Sequence, residues 1–113
     1  MAFAIALAAA SFSSLAANAY KVSANVSHHG ERFASPSVVV EMGVRAEIEV
    51  SGPDGYRLML TVDDAGEGKL RISANLDTAH GAMSPVVIVR AGQSATVSVG
   101  DMEIGLIAIP HDG

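Results

Sequence analysis

The feature that most constrains the fold of this chain is an internal repeat at a shift of about fifty residues. Residues 21–26 match residues 71–76, with serine, alanine and asparagine identical and the remaining positions exchanged like for like. Residues 35–50 match residues 84–99, and both segments carry a Ser-Pro pair and a glycine at equal offsets. Strand composition alone makes strands resemble one another, whereas turn residues fix backbone geometry at particular positions. We therefore interpret the match as a duplication rather than as convergence.

Apolar residues recur at every second position in each half, which is typical of strands with one face in the core. Residues 46–50 alternate apolar with acidic side chains, and residues 69–76 alternate apolar with polar ones. The pattern predicts an all-β fold, an antiparallel β-sandwich or a small closed barrel of about eight strands. Two duplicated four-strand units are expected to span about residues 20–64 and 69–110.

The connections between strands are marked by glycine and by longer polar segments. Gly43 and Gly92 supply the positive φ that a tight hairpin needs, so we predict a hairpin at each. Residues 27–35 and 77–84 are longer than hairpin turns. We therefore expect the chain to cross from one sheet to the other in these two loops.

Two segments, residues 37–40 and 86–89, consist largely of valine and isoleucine and lack the usual alternation. Pro36 and Pro85 precede them, where a missing N–H costs no ladder hydrogen bond. A strand that is apolar throughout is typical of one covered on both faces. The segments are therefore predicted to be central strands, or else strands whose outer face is covered by a partner.

Residues 1–19 have the composition of a cleavable signal peptide. An uncharged apolar run extends from Ala2 to Ala10, and Ala17-Asn18-Ala19 forms a small-x-small cleavage site before Tyr20. A transmembrane anchor is the alternative, but serines interrupt the apolar run, which is short for a bilayer span. We predict a leader over residues 1–19 and a single β-sandwich domain over residues 20–113.

The charge balance and the lack of cysteine limit the partners and the compartment. The chain has 7 basic and 12 acidic side chains, and its net charge of −5 disfavours nucleic acid and anionic lipid surfaces. No stable membrane insertion is expected after cleavage. Without cysteine there is neither a disulfide, thiol chemistry nor a lipoprotein anchor, so stability must come from apolar burial. The predicted location is the bacterial periplasm or the outside of the cell.

No motif typical of a catalytic site occurs in the sequence. It lacks a Gly-x-Ser-x-Gly elbow, a phosphate-binding Gly-rich loop and a His-Glu-x-x-His motif. Two carboxylate pairs are present, Glu47 with Glu49 and Asp63 with Asp64. A solvated strand face explains the first pair, and a turn explains the second. We predict that the protein is not an enzyme and has no catalytic or cofactor-binding residues.

Histidine is the residue type with the most suggestive distribution. His28 and His29 lie in one predicted crossover loop, and His80 lies in the corresponding loop with Met83 shortly after it. Imidazole and thioether groups suit copper, so these four residues form a candidate copper site if the two loops share one edge of the sandwich. His111 is a further candidate ligand. The alternative is that polar loops collect histidine by default.

Two hypotheses about function follow from these features. The first is an exported, non-enzymatic interaction module that binds a protein partner, as an assembly factor, a chaperone-like protein or an inhibitor. Adding a partner strand to a sheet edge supplies affinity through main-chain hydrogen bonds and requires no special side chains. The alternative is a small periplasmic copper-binding or metal-binding protein. A carbohydrate binder ranks last, because the chain has few aromatic residues to stack on sugars. The identity of the partner and the oligomeric state stay open.

Overall fold

The computed structural model describes residues 18–111, and strands account for 71% of them. Within that range there is no helix, so none is long and apolar enough to span a bilayer, and the all-β prediction is confirmed. In chain order the ten strands are β1 (Ala19–His28), β2 (Glu31–Ala34), β3 (Ser37–Glu41), β4 (Ala46–Val50), β5 (Tyr56–Gly66), β6 (Lys69–Thr78), β7 (Gly81–Met83), β8 (Val86–Arg90), β9 (Ala95–Val99) and β10 (Met102–Pro110). All but Asn18 and Ala19 of the predicted leader lies outside the described residues.

The strands form two antiparallel sheets of the same design. Sheet A has the order β9-β10-β1, and both β2 and β3 pair with the far side of β1. Sheet B has the order β4-β5-β6, and both β7 and β8 pair with the far side of β6. Each sheet therefore combines strands from both halves of the chain.

The chain crosses between the sheets at the two glycine turns. Gly43 lies between β3 and β4 with φ of 79°, and its N–H donates to the Val62 carbonyl across the sheets at 2.8 Å. Gly92 lies between β8 and β9 with φ of 82°, and its N–H donates to the Ala108 carbonyl at 2.8 Å. The prediction of hairpins at these glycines is therefore wrong, although the positive φ is confirmed.

The loops predicted to cross between the sheets instead contain short hairpins. After His28 the chain turns through two residues and returns as β2 beside β1, and after Thr78 it returns as β7 beside β6. These short returning strands explain why the structure has ten strands rather than about eight. β3 and β8 each pair with one strand and lie at sheet edges, so the prediction that residues 37–40 and 86–89 are central strands is wrong.

The two sheets share one hydrophobic core, as alternate burial along their strands requires. The two long central strands of sheet A are β1 and β10, and those of sheet B are β5 and β6. Each of them directs every second side chain into the core. The most completely buried large side chains are Leu58, Leu60, Ile72, Ile104, Leu106, Val22, Val26, Val40 and Val62. Among the described residues no buried side chain is polar or charged. Apolar burial therefore stabilises the fold, as expected without disulfides.

Equivalent strands in the two halves have nearly the same burial pattern. The patterns of β3 and β8 are identical, as are those of β4 and β9. The first half of the chain has one residue more between its two matched blocks than the second half has. The pairing of β1 with β2 has a register shift at Val26 and Ser27, whereas β6 pairs with β7 without one. This irregularity accommodates the extra residue, because a β-bulge opposes two residues to one.

Candidate functional site

One end of the molecule carries a group of side chains that we call the histidine cluster, comprising His28, His29, His80 and Asp101. His28 is the last residue of β1, and His29 is the first residue of the turn that follows. His29 has φ of 54° and Gly30 has φ of 78°, the two positive values of a type I′ turn. This turn reverses the chain within two residues and presents the His29 imidazole to solvent.

The turn between β6 and β7 brings His80 against His28. The N–H of His80 donates to Thr78 Oγ1 at 2.9 Å, which fixes the backbone of this turn. The rings of His28 and His80 are stacked, with centroids 4.4 Å apart and an angle of 16° between their planes. The edge of Phe33 contacts His80 with ring centroids 5.1 Å apart, and His80 Nε2 lies 3.7 Å from Asp54 Oδ1. His80 therefore lies between the ring of Phe33 and the carboxylate of Asp54.

Asp101 reaches the cluster from the turn between β9 and β10. The N–H of His29 donates to the Asp101 carbonyl at 2.9 Å, which joins the two turns through the backbone. The side chains also approach, with His29 Nδ1 3.7 Å from Asp101 Oδ2. One ligand atom from each of His28, His29 and Asp101 lies within 4.8 Å of the others. Sequence reasoning missed Asp101, because only the pairing of β1 with β10 brings it here.

The surroundings of His28 disfavour its charged form. Desolvation, followed by the positive charges of His29 and His80, lowers the pKa of His28 below its ordinary value of 6.5. The carboxylate of Asp101 opposes this shift. His28 therefore favours the neutral form, which has a free nitrogen lone pair.

The structure brings together three of the four predicted copper ligands. His28, His29 and His80 have contacting rings, whereas Met83 is 5% exposed and belongs to the core. His111 lies at the other end of the sheet, where its N–H donates to the Ala19 carbonyl. The two loops therefore bring the three histidines to one end of the molecule, and Met83 lies apart from them.

Three of the four carboxylates in the pairs noted in the sequence have structural partners. Arg57 contacts both acidic residues of β4, with Nε 3.0 Å from Glu47 Oε2 and Nη2 3.7 Å from Glu49 Oε2. Asp64 Oδ1 accepts a hydrogen bond from the Gly66 N–H at 2.9 Å. The first pair therefore takes part in exposed ion pairs across neighbouring strands, and Asp64 supports the turn that follows β5.

A second candidate site is the free edge of sheet B, which we call the edge patch: Val86, Ile88, Arg90, Lys69 and Arg71. Within the described residues β8 pairs with β6 alone, so its other edge faces solvent. Val86 is 59% exposed and Ile88 is 55% exposed. The register places Arg71 opposite Ile88 and Lys69 opposite Arg90, on the same outer face. Three of the seven basic residues thus lie on this outer face, with Arg71 directly beside the exposed Ile88.

The outward residues of the edge strands β3, β4 and β9 are more polar than those of β8. On β4 the outward residues are Glu47 and Glu49, and on β9 they are Thr96 and Ser98. The equivalent of β8 in sheet A is β3, whose outward residues are Ser37, Val39 and Glu41. Polar and charged side chains at an edge discourage pairing with another strand. On β8 the outward residues Val86 and Ile88 lack this protection, and Arg90 is the charged outward residue of the strand.

We compared the chain with protein-family models, with curated proteins and with solved structures. None of them matches it.

Proposed function

We propose that this protein is an exported, non-enzymatic interaction module of the bacterial periplasm that binds an extended segment of a partner protein along β8. The observation that carries the proposal is the apolar, solvent-facing edge of sheet B. An edge strand presents a row of backbone N–H and C=O groups that have no partner within the sheet. A segment in strand conformation pairs with these groups and adds one more strand to the sheet.

The charges around β8 favour a particular class of partner segment. Lys69, Arg71 and Arg90 make the outer face of this edge basic, although the chain as a whole carries a net charge of −5. A strand that alternates aliphatic and acidic residues would place both kinds of side chain beside their complements. Such complementarity steers association and suppresses wrong partners. The partner segment is therefore proposed to be extended, apolar and acidic.

The experiment uses short blocked peptides as probes and the backbone amide signals of the ¹⁵N-labelled protein as the readout. A peptide that alternates valine with glutamate should shift the amide signals of residues 86–90 more than those of residues 37–41. A peptide that alternates valine with lysine should shift them less, because it meets like charge. Ile88→Glu should abolish the response, because it removes the aliphatic contact and adds a charge of the same sign as the peptide. The matched control is Val39→Glu, at the equivalent exposed position of β3, which should retain it.

Three outcomes would contradict the proposal. The first is an absence of shifts in residues 86–90, and the second is an equal response of β3 and β8. The third is self-association of the free protein in sedimentation velocity that Ile88→Glu abolishes. That result would make a second copy of this chain the occupant of the edge.

The same proposal includes export and duplication. Residues 1–19 are proposed to act as the leader, and the equal burial patterns of β3 with β8 and of β4 with β9 support two units of common origin. On this account the second unit has acquired the binding edge, because β8 carries valine and arginine where β3 has Ser37 and Glu41. The mass of the protein recovered from the periplasm of an expressing bacterium tests the leader.

A further inference from the structure

We propose that His28, His29 and Asp101 bind a divalent transition-metal ion, with Cu²⁺ preferred over Zn²⁺. The two imidazoles and the carboxylate come from two turns that the pairing of β1 with β10 holds side by side. This site is separate from β8 and does not depend on the proposed partner binding. Nitrogen and oxygen ligands suit Cu²⁺, Ni²⁺ and Zn²⁺, and Cu²⁺ binds such ligands most tightly in the first-row series.

The three side chains need only a modest rearrangement to surround an ion. Their ligand atoms lie within 4.8 Å of one another. In the tetragonal geometry that Cu²⁺ prefers, bonds of about 2.0 Å place adjacent ligand atoms about 2.8 Å apart, so closure requires a movement of roughly 2 Å. The side chains of His29 and Asp101 are 65% and 67% exposed, and side-chain rotation at exposed positions meets little resistance. The hydrogen bond from the His29 N–H to the Asp101 carbonyl keeps the two turns in place during closure.

His80 supports the site as a neighbour of His28 rather than as a ligand. The planes of the two stacked rings differ by 16°. The lone pair of a ring nitrogen lies in the plane of its ring. Two nearly parallel rings therefore direct their lone pairs side by side and not toward a single ion. The His80 ring therefore covers one face of His28 and limits its rotation, as a positioning residue does.

The sulfur atoms of nearby methionines do not contribute to this ligand set. Met83 is packed in the core. Met102, the register partner of His28, is buried with its sulfur 4.0 Å from Thr78 Oγ1. Thioether ligands favour Cu(I), whereas imidazole and carboxylate favour divalent ions. The proposed preference is therefore for Cu²⁺ rather than for Cu(I).

Calorimetric titration of the untagged full-length protein with CuSO₄ and with ZnSO₄ tests the site. One ion should bind per chain, and nitrogen couplings should appear in the electron paramagnetic resonance spectrum of the Cu²⁺ complex. His29→Asn retains a residue that tolerates the positive φ, and Asp101→Asn retains the shape of the side chain. Each should weaken binding by about tenfold or more. His111→Gln, which changes an exposed histidine at the opposite end, should leave the affinity unchanged.

The variant series separates the proposed ligands from the alternatives. His80→Gln should weaken binding less than His29→Asn does. The ligand set is wrong if His80→Gln has the larger effect or if Asp101→Asn has none. The site itself is refuted if His28→Gln combined with His29→Asn binds Cu²⁺ as tightly as the unchanged protein. Circular dichroism spectra that superpose across the series show that each variant is folded.

Discussion

At the scale of single residues, His28 is the position where the histidine cluster is most crowded. It lies between the rings of His29 and His80, with centroid distances of 4.1 and 4.4 Å. Desolvation, and then the neighbouring His29 and His80, disfavour a positive charge on His28 and lower its pKa. The folded state therefore opposes protonation of this imidazole more than the unfolded chain does.

This environment predicts how stability depends on pH. Because the pKa of His28 is lower in the folded state, its contribution is fully present above the unfolded value of 6.5 and decreases as pH falls below it. In the presence of EDTA, the thermal unfolding midpoint should fall between about pH 7.5 and pH 5.5. The midpoint should fall less for His28→Gln than for the unchanged protein. For His111→Gln it should fall by the same amount as for the unchanged protein. An equal fall in all three proteins would contradict the account of this cluster.

At the scale of elements, the two glycine crossings decide which strands share a sheet. Gly43 and Gly92 hold similar left-handed conformations, and each donates its N–H to a strand of the opposite sheet at 2.8 Å. A Cβ at either position would meet no atom within 4 Å. The cost of a side chain there is therefore conformational rather than steric.

Replacing either crossing glycine tests this interpretation. Gly43→Ala and Gly92→Ala should each lower the free energy of unfolding by about 1 to 2 kcal/mol, the cost of a left-handed conformation with a Cβ. Gly→Asn at the same positions should cost less, because asparagine tolerates that region. Urea unfolding measures both values. No destabilisation by alanine at either site would show that the turn does not need the positive φ.

At the scale of the whole molecule, the sequence predicts which residues face the core better than it predicts which strands pair. The alternation in residues 69–76 indicates the inward side chains of β6 correctly, because period-two burial is a local property of a strand. Residues 37–40 and 86–89 suggest central strands, yet both lie at edges, because coverage of a strand depends on the other half of the chain. A glycine turn within a sheet and one between sheets look alike in sequence.

The same distinction applies to the candidate sites. The corresponding loop positions of His28, His29 and His80 make these residues candidates for one site, and the structure places the His28 ring beside the other two. Asp101 and the basic face of the edge patch depend on long-range strand register, which no local pattern in the sequence reports. The burial of Met83 likewise follows from its pairing with Leu76 and not from its distance to His80 along the chain.

The exchange of strands between the two halves underlies both proposed sites, and disulfide trapping tests it directly. The chain has no cysteine, so introduced pairs report without interference. Ser27 and Glu103 face each other across β1 and β10. Arg57 faces Asp77 across β5 and β6. Asp77 is the equivalent of Ser27 in the repeat, so Arg57 would face Ser27 if each half of the chain formed a sheet of its own. Under mild oxidation, Ser27→Cys with Glu103→Cys should form an intramolecular disulfide, and Ser27→Cys with Arg57→Cys should not. The reverse result would contradict the exchanged arrangement.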